Sequence, residues 1–333
     1  MRRTAKDVGE RAIIESMIKC YARDSKALPF GDDVAAVDIG GGSMLVMGGD
    51  MLVAKTDVPP GMTLRQAARK AVVSTVSDFA AKGVAPRALY TSIVLPPDLD
   101  AKDVDQIAKG FNDGAREYGM RVVGGDTNES GSDLAMACFV TGVADRHQIM
   151  FRKGCKSGDI LAVTGPFGDT GAGLKVLIGQ WKTPPELRKA LLKRVYKPRA
   201  RLREGLALSK SRSVTASIDS SDGLAWSLFE LQRANGVGFM VDRLPISDSA
   251  KQFAKLSGAD PLDLVFYGGE EFELVVTVGE NFWEKAEDAI KRVGGSLVRI
   301  GCVVEGRSIK AKHRGTIVEV EPKGFEHFRK PYA

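Results

Sequence analysis

The chain holds 333 residues, of which 44% are hydrophobic and 27% are charged, a composition that excludes a disordered or fibrous protein. Its net charge is +6, with 48 basic against 42 acidic residues, and it lacks the sequence signatures of nucleic-acid-binding domains. We therefore expect anionic small molecules, and no nucleic acid, as partners.

No stretch of the sequence approaches the ~20 consecutive apolar residues of a membrane span, so we expect no membrane partner. The four cysteines form no Cys-x-x-Cys pair, which argues against a structural zinc site and indicates a reducing, cytoplasmic setting. At ~100–200 residues per domain, a chain of this length is expected to fold as two domains.

The first half of the chain alternates helical and strand patterns. Apolar residues at helical spacing predict helices at 5–22 and 64–82, and Gly83 is expected to end the second. Two apolar strands within 43–56 are expected to form a hairpin with a tight turn at Gly48-Gly49. The other elements predicted here are strands at 90–95, 121–123 and 134–143 and a helix at 103–118.

The sequence turns polar at 145–158, which predicts a boundary between a domain at 1–148 and a domain at 149–333. The second half is expected to contain helices at 169–179, 186–195, 199–210, 223–235 and 281–293, and strands at 160–163, 216–219, 237–241, 273–278 and 297–304. Because both halves mix helices with strands, the predicted fold class is α/β (α+β).

Aspartates recur beside glycine, serine or threonine. They lie in Gly31-Asp32-Asp33, Thr56-Asp57, Ser77-Asp78, Gly124-Gly125-Asp126-Thr127 and Asp219-Ser220-Ser221-Asp222-Gly223. Each motif alone is typical of a helix cap or a turn. Asp57 and Asp78 fit that explanation poorly, because Asp57 is expected to end a strand and Asp78 lies within a helical pattern beside Phe79.

A carboxylate near the core is unfavourable unless a cation accompanies it. Mg²⁺ prefers carboxylate oxygens and commonly bridges them to the phosphates of a substrate. The neighbouring glycines would let the backbone approach such a phosphate closely. The dipeptide Gly-Lys of a P-loop does not occur, so a nucleotide site of another type is expected.

Two further motifs complete an ordered set that spans nearly the whole chain, Gly268-Gly269-Glu270-Glu271-Phe272-Glu273-Leu274 and Gly324-Phe325-Glu326-His327-Phe328. Together the motifs resemble the thiamine-monophosphate kinase family of the aminoimidazole-ribonucleotide-synthetase-like superfamily. The resemblance implies an N-terminal α/β domain for metal binding, nucleotide binding and dimerisation, and a C-terminal α+β domain that completes the cleft. It also implies ATP and Mg²⁺ as cofactors, thiamine monophosphate as acceptor, and a homodimer.

The resemblance assigns roles residue by residue. Metal ligands would be Asp33, Thr56, Asp57, Asp78, Asp126, Asp219 and Asp222, of which Asp57, Asp78 and Asp222 are expected to serve catalysis most directly. Contacts to ATP would come from Gly125, Asp126, Arg152 and Ser221. Glu270 and Phe325 would contact thiamine, since an aromatic face suits a cationic ring, although Phe325 could equally pack the C-terminal tail.

One segment departs from the family pattern. Asp57 is followed by Val58-Pro59-Pro60-Gly61-Met62, where the family usually has a longer stretch with a His-Phe pair, and Lys55 replaces a small hydroxyl residue. The identity of the acceptor therefore stays open. It is either thiamine monophosphate or the acceptor of another ATP-using member of the superfamily, such as a ligase-type synthetase. A regulatory nucleotide-binding protein is a third possibility, which the many carboxylates argue against.

If thiamine monophosphate is the acceptor, its phosphate oxygen is the nucleophile. The second pKa of a phosphate ester is ~6, so this oxygen is largely deprotonated near neutral pH. No general base would then be needed, and transfer would rest on positioning and charge neutralisation in an in-line reaction.

Overall fold

The computed structural model of the chain describes residues 4–22, 24–129, 131 and 133–328. Its helices, in chain order, are α1 Ala5–Val8, α2 Glu10–Cys20, α3 Ala54–Asp57, α4 Leu64–Lys82, α5 Ala101–Glu117, α6 Asp169–Ile178, α7 Pro185–Tyr196, α8 Leu202–Ser211, α9 Leu224–Asn235, α10 Asp248–Ser257, α11 Pro261–Phe266 and α12 Trp283–Arg292.

Its strands, in the same order, are β1 Ala35–Gly40, β2 Ser43–Val53, β3 Pro86–Leu95, β4 Arg121–Glu129, β5 Ala135–Asp145, β6 Ile160–Val163, β7 Val214–Asp219, β8 Gly238–Val241, β9 Leu274–Val278, β10 Val298–Val304, β11 Ile309–His313 and β12 Thr316–Glu319. No helix within the described residues combines the length and the apolar character that crossing a membrane requires.

The first half forms a five-stranded sheet with the strand order β1-β2-β5-β3-β4. Strands β3 and β4 run parallel, and the other neighbours run antiparallel. Helix α4 packs on strands β2 and β5, and helix α5 packs beside α4 and on β4. Helix α4 begins at the capping residue Thr63, whose hydroxyl accepts from the Gln66 backbone N–H, and it ends at Gly83 with φ +65°.

The second half forms a seven-stranded sheet with the strand order β12-β11-β8-β10-β6-β9-β7. Strands β8 and β11 are parallel, and the other pairs are antiparallel. Helix α9 covers strands β7, β8 and β9, while helices α6, α7 and α10 pack together in a smaller apolar cluster. Two mixed helix-and-strand layers confirm the predicted fold class.

One hydrophobic core joins the two halves. Buried side chains of α4 and of the first sheet continue into Leu208 of α8 and Val276 of β9. Helix α8 approaches α4 closely at Gly205, where an added Cβ would lie 2.0 Å from the Ala80 carbonyl oxygen. Because α4 also packs against β7, it lies between the two sheets and can carry side chains into the cleft between them.

The predicted hairpin at 43–56 is wrong, because β2 runs unbroken from Ser43 to Val53. Gly48 and Gly49 serve close packing instead of a turn. A Cβ on Gly48 would lie 3.0 Å from the Phe79 ring, and one on Gly49 would lie 2.7 Å from the Phe139 ring. Small residues at these positions therefore make room for aromatic rings on both faces of the sheet.

Most other predicted elements lie within a few residues of the observed ones. The helix expected at 5–22 divides into α1 and α2 at Gly9, whose φ is +83°. Asp57 does not end a strand; it closes the short helix α3. Strand β4 extends to Glu129, well beyond the predicted 121–123. The division into domains between residues 148 and 149 stays a prediction. Residues 1–3 and 329–333, at the outer ends of the two predicted domains, lie outside the described part of the chain.

Candidate active site

Three carboxylates meet in the cleft. Asp33 precedes β1, Asp78 lies in the second turn from the end of α4 and Asp219 ends β7. One carboxylate oxygen of each lies within 4.8 Å of those of the other two. Asp219 is fixed by the Ser77 hydroxyl, which donates a 2.7 Å hydrogen bond to Oδ2. A set of oxygen ligands at this spacing fits a hard divalent cation such as Mg²⁺.

The electrostatics of this cluster favour a bound cation. Burial, and then the negative charges of Asp50, Asp219 and Asp33, raise the pKa of Asp78 well above its ordinary value. Burial and the Asp33 charge raise the pKa of Asp219 to about 7. Since like charges in a low dielectric disfavour ionisation, a divalent cation would stabilise the ionised forms.

Asp33 already has cationic partners. Lys82 Nζ lies 2.7 Å from Asp33 Oδ2, and Arg152 Nε donates a 2.7 Å hydrogen bond to Asp33 Oδ1. Lys82 is fully buried and also contacts Asp32 Oδ1 at 2.5 Å and the Ser217 carbonyl oxygen at 2.8 Å. Arg152, the predicted ATP contact, therefore touches a predicted metal ligand directly.

Asp50 is a fourth carboxylate near the cluster of Asp33, Asp78 and Asp219, and the sequence patterns did not indicate it. The Ser74 hydroxyl of α4 donates a 3.1 Å hydrogen bond to Asp50 Oδ2. Burial and the charge of Asp33 raise the pKa of Asp50, and its charge contributes to the raised pKa of Asp78. A carboxylate inside an apolar strand was an available signal, but the predicted hairpin assigned Asp50 to the region just after a turn.

Asp57, which follows Thr56, is not one of the three clustered carboxylates among the described residues. Asp57 Oδ2 accepts a 2.7 Å hydrogen bond from the Val53 N–H, and the exposed Thr56 hydroxyl donates to the Val53 carbonyl at 3.4 Å. Helix α3 thus turns both side chains back onto the end of β2. The aspartate of β2 that contacts α4 is Asp50, through the Ser74 hydroxyl. Metal binding by Thr56 and Asp57 stays a prediction.

Gly125 and Asp126 lie on the edge strand β4, where both are exposed. A Cβ on Gly125 would lie 2.7 Å from the Thr91 carbonyl oxygen, so this position requires glycine. Asp126 pairs in register with Ser92 of β3 and is not among the three clustered carboxylates. Their predicted contacts with ATP and metal stay predictions.

The two residues that are predicted to bind the acceptor lie beside the motif Asp219-Ser220-Ser221-Asp222-Gly223. The Glu270 N–H donates to the Ser221 carbonyl, and the Phe325 N–H donates to the Asp222 carbonyl at 3.3 Å. Burial and the charge of Glu10 raise the pKa of Asp222 to about 7. These backbone hydrogen bonds thus bring Ser221, Asp222, Glu270 and Phe325 together.

Comparisons with known proteins identify the family of the chain. Models of the AIR synthase related proteins match the chain, the N-terminal domain over residues 31–144 and the C-terminal domain over residues 156–314. The thiamine-monophosphate kinase of Nitrosopumilus maritimus is 37% identical over 84% of this chain and 88% of its own length. That of Pyrococcus abyssi is 35% identical over 96% of this chain and 95% of its own length.

A solved structure of AaThiL complexed with AMPPCP and TMP superposes with a TM-score of 0.84. The two chains are 28% identical, and the match covers 98% of this chain and 99% of that one. The chain therefore belongs to the AIR synthase related proteins and, within them, to the thiamine-monophosphate kinase family.

Proposed function

We propose that this chain transfers the γ-phosphoryl group of ATP to thiamine monophosphate in an in-line, Mg²⁺-dependent reaction that yields thiamine diphosphate. The observation that carries the proposal is the gathering of the Asp33, Asp78 and Asp219 carboxylates within 4.8 Å of one another, with Glu270 and Phe325 hydrogen-bonded to the motif that follows Asp219. Family membership supports it, since relatives named thiamine-monophosphate kinase match most of the chain. A relative's complex with AMPPCP, an ATP analogue, and TMP supports both substrates.

The metal-binding part of the proposal rests on carboxylates. Asp33, Asp78 and Asp219, with Asp50 close by, would hold Mg²⁺, and the resemblance adds Thr56, Asp57, Asp126 and Asp222. Bound Mg²⁺ would neutralise charge on the donor and acceptor phosphates. Gly125, Ser221 and Arg152 are the proposed contacts of ATP, and the Arg152 guanidinium suits a phosphate because it offers several donors in one plane.

The acceptor part rests on a carboxylate and an aromatic ring. Thiamine carries a cationic ring, which the Glu270 carboxylate would attract and the half-exposed Phe325 ring would stack against. Its phosphate would reach the acidic cluster, where Asp33, Asp78 and Asp219 would hold a Mg²⁺ ion that supplies charge neutralisation for the transfer. The proposed nucleophile is a phosphate oxygen that is already deprotonated near neutral pH, so its attack would need no general base.

We also propose that the chain forms a homodimer through the open face of its first sheet. Met51, Tyr90, Phe139 and Val143 are exposed there, and Tyr90 of β3 pairs in register with Phe139 of β5. Contiguous exposed apolar side chains on a sheet are typical of a protein interface. A second copy of this chain would cover them. The four unpaired cysteines support the proposed cytoplasmic setting.

Incubation with ATP, Mg²⁺ and thiamine monophosphate, followed by chromatography, tests the proposed function. Thiamine diphosphate and ADP are expected in equal amounts. ATP binding by calorimetry without any thiamine diphosphate would contradict the proposal and favour a different acceptor or a regulatory role.

A further inference from the structure

Lys70 is a buried cation to which the family resemblance assigned no role. It lies on α4, and only 4% of its side chain is exposed. Its ammonium donates a 2.8 Å hydrogen bond to the Asp57 carbonyl and forms an ion pair with the Glu270 carboxylate. An apolar side chain would fill a buried site at lower desolvation cost, so the partners of Lys70 are the distinctive feature of this position.

Glu270 is held from two directions. Its N–H donates to the Ser221 carbonyl, and Lys70 binds its carboxylate at Oε1, which leaves Oε2 as a second acceptor atom. The φ of Glu270 is +64°, a left-handed conformation that costs a non-glycine residue ~1 kcal/mol or more. Glycine would relieve that strain, so a carboxylate here serves a purpose other than chain geometry.

Lys70 also shares a face of α4 with groups that touch the acidic cluster. Residues four and eight positions apart lie on the same side of a helix, and these positions are Ser74 and Asp78. Ser74 donates to Asp50, and Ser77, in the same turn as Asp78, donates to Asp219. At 1.5 Å per residue, this face spans about 12 Å between the turn of Lys70 and that of Asp78.

We propose that Lys70 is a positioning residue for the acceptor, an inference that rests on the proposed function. By holding the Glu270 carboxylate against α4, Lys70 fixes its distance from the carboxylates at the other end of the same helix face. A cationic phosphate ester bound at Glu270 then presents its phosphate to the metal end of the cleft. Without the ammonium, the half-buried Glu270 side chain loses its anchor and turns toward solvent.

The test uses Lys70→Met, which keeps most of the length of the side chain without its charge. The matched control is Lys109→Met, at an exposed lysine of α5. Lys70→Met is expected to raise the KM for thiamine monophosphate ~10–100-fold, as for loss of a charge-assisted contact, and the KM for ATP less than about twofold. Lys70→Arg should give an intermediate KM, and Lys109→Met a KM equal to that of the wild type.

A double variant distinguishes positioning from a structural role. If Lys70 acts through Glu270, Lys70→Met combined with Glu270→Gln will be no worse than Glu270→Gln alone. Additive losses, or an equal rise in both KM values, would overturn the proposal. Should Lys70→Met fail to fold, Lys70→Gln replaces it, because its amide can still donate to the Asp57 carbonyl but brings no charge to Glu270.

Calorimetry separates this inference from the proposed function. If the wild type binds thiamine monophosphate but transfers no phosphate, the proposed function fails, and the Lys70 variants are compared by affinity with the same expected ratios. If the wild type does not bind thiamine monophosphate, the Lys70 inference is overturned as well.

Discussion

The Arg152 guanidinium and the Asp33 carboxylate form an ion pair inside the cleft, with Arg152 Nε 2.7 Å from Asp33 Oδ1. One partner is the proposed ligand of a triphosphate, and the other is a proposed ligand of its metal. In this ion pair each occupies an atom that the other would need for its proposed ligand. Exchange of this pair for Mg²⁺ and ATP together would make the binding of each favour the binding of the other.

Arg152→Gln tests this coupling. Loss of the guanidinium should weaken ATP binding ~10–100-fold, because a charge-assisted contact to phosphate is lost. It should also tighten Mg²⁺ binding in the absence of ATP, since Asp33 loses one of its cationic partners. Titration calorimetry measures both affinities, with the exposed Arg146→Gln as control. Weaker Mg²⁺ binding in Arg152→Gln would contradict this account.

Asp50 and Asp57 offer a paired test of which aspartate serves the metal. Asp50→Asn should lower kcat by about 100-fold or more, because the Asp50 carboxylate lies close enough to Asp78 for its charge to raise the pKa of Asp78. Asp57→Asn should keep more activity, since the Asp57 carboxylate accepts from the Val53 N–H at the end of β2. Steady-state rates over a range of Mg²⁺ concentrations give the comparison, and a larger loss in Asp57→Asn would refute the geometric assignment.

Stability of the metal-free protein should fall as pH rises. The pKa of Asp219 and that of Asp222 are both raised to about 7, so the folded chain retains protons that the unfolded chain has lost. Stability therefore decreases with pH from the ordinary carboxyl range up to about 7. Added Mg²⁺ should raise the melting temperature more at pH ~8 than at pH ~5.5.

Thermal melts with EDTA or with Mg²⁺ at the two pH values measure this dependence. Asp219→Asn is the control, because removing one titrating carboxyl should flatten the pH dependence without metal. The contrary result is a melting temperature in EDTA that rises over this pH range, equally in the wild type and in Asp219→Asn. It would show that burial does not raise the pKa values of these carboxyl groups.

The proposed homodimer makes a prediction for Phe139, of which 48% is exposed on the open face of the first sheet. Phe139→Glu would place a charge within the apolar interface and should convert the dimer to a monomer. Ile317→Glu on β12, at a position that is 63% exposed, should leave the dimer intact. Sedimentation analysis decides between the states; a monomeric wild type would dismiss the proposed interface.

Local patterns predicted much of the fold. Helix α4 was predicted from its apolar spacing and from Gly83, and the Thr63 cap that the structure adds also acts within the chain segment itself. The continuous strand β2 did not follow, because Gly48 and Gly49 resemble a turn until Phe79 and Phe139 are seen to pack against them. Contacts made by residues distant in sequence decide such cases.

The same limit applies to the candidate site. Asp33, Asp78 and Asp219 were predicted as ligands and lie together, since their motifs follow the ends or faces of predictable elements. Asp50 was overlooked as a consequence of the mistaken hairpin. Lys70 carries no local signal, because only the folded chain brings α4 to Glu270, 200 residues further along the sequence.

Phosphorus NMR of one reaction mixture tests the central claim most directly. With ATP, Mg²⁺ and thiamine monophosphate, the wild type should produce the two signals of thiamine diphosphate together with ADP in equal amounts. Asp78→Asn should produce neither while its melting temperature stays at or above that of the wild type, because the substitution removes a buried charge repulsion. Release of inorganic phosphate in place of thiamine diphosphate, or near-normal turnover by Asp78→Asn, would contradict phosphoryl transfer at this acidic cluster.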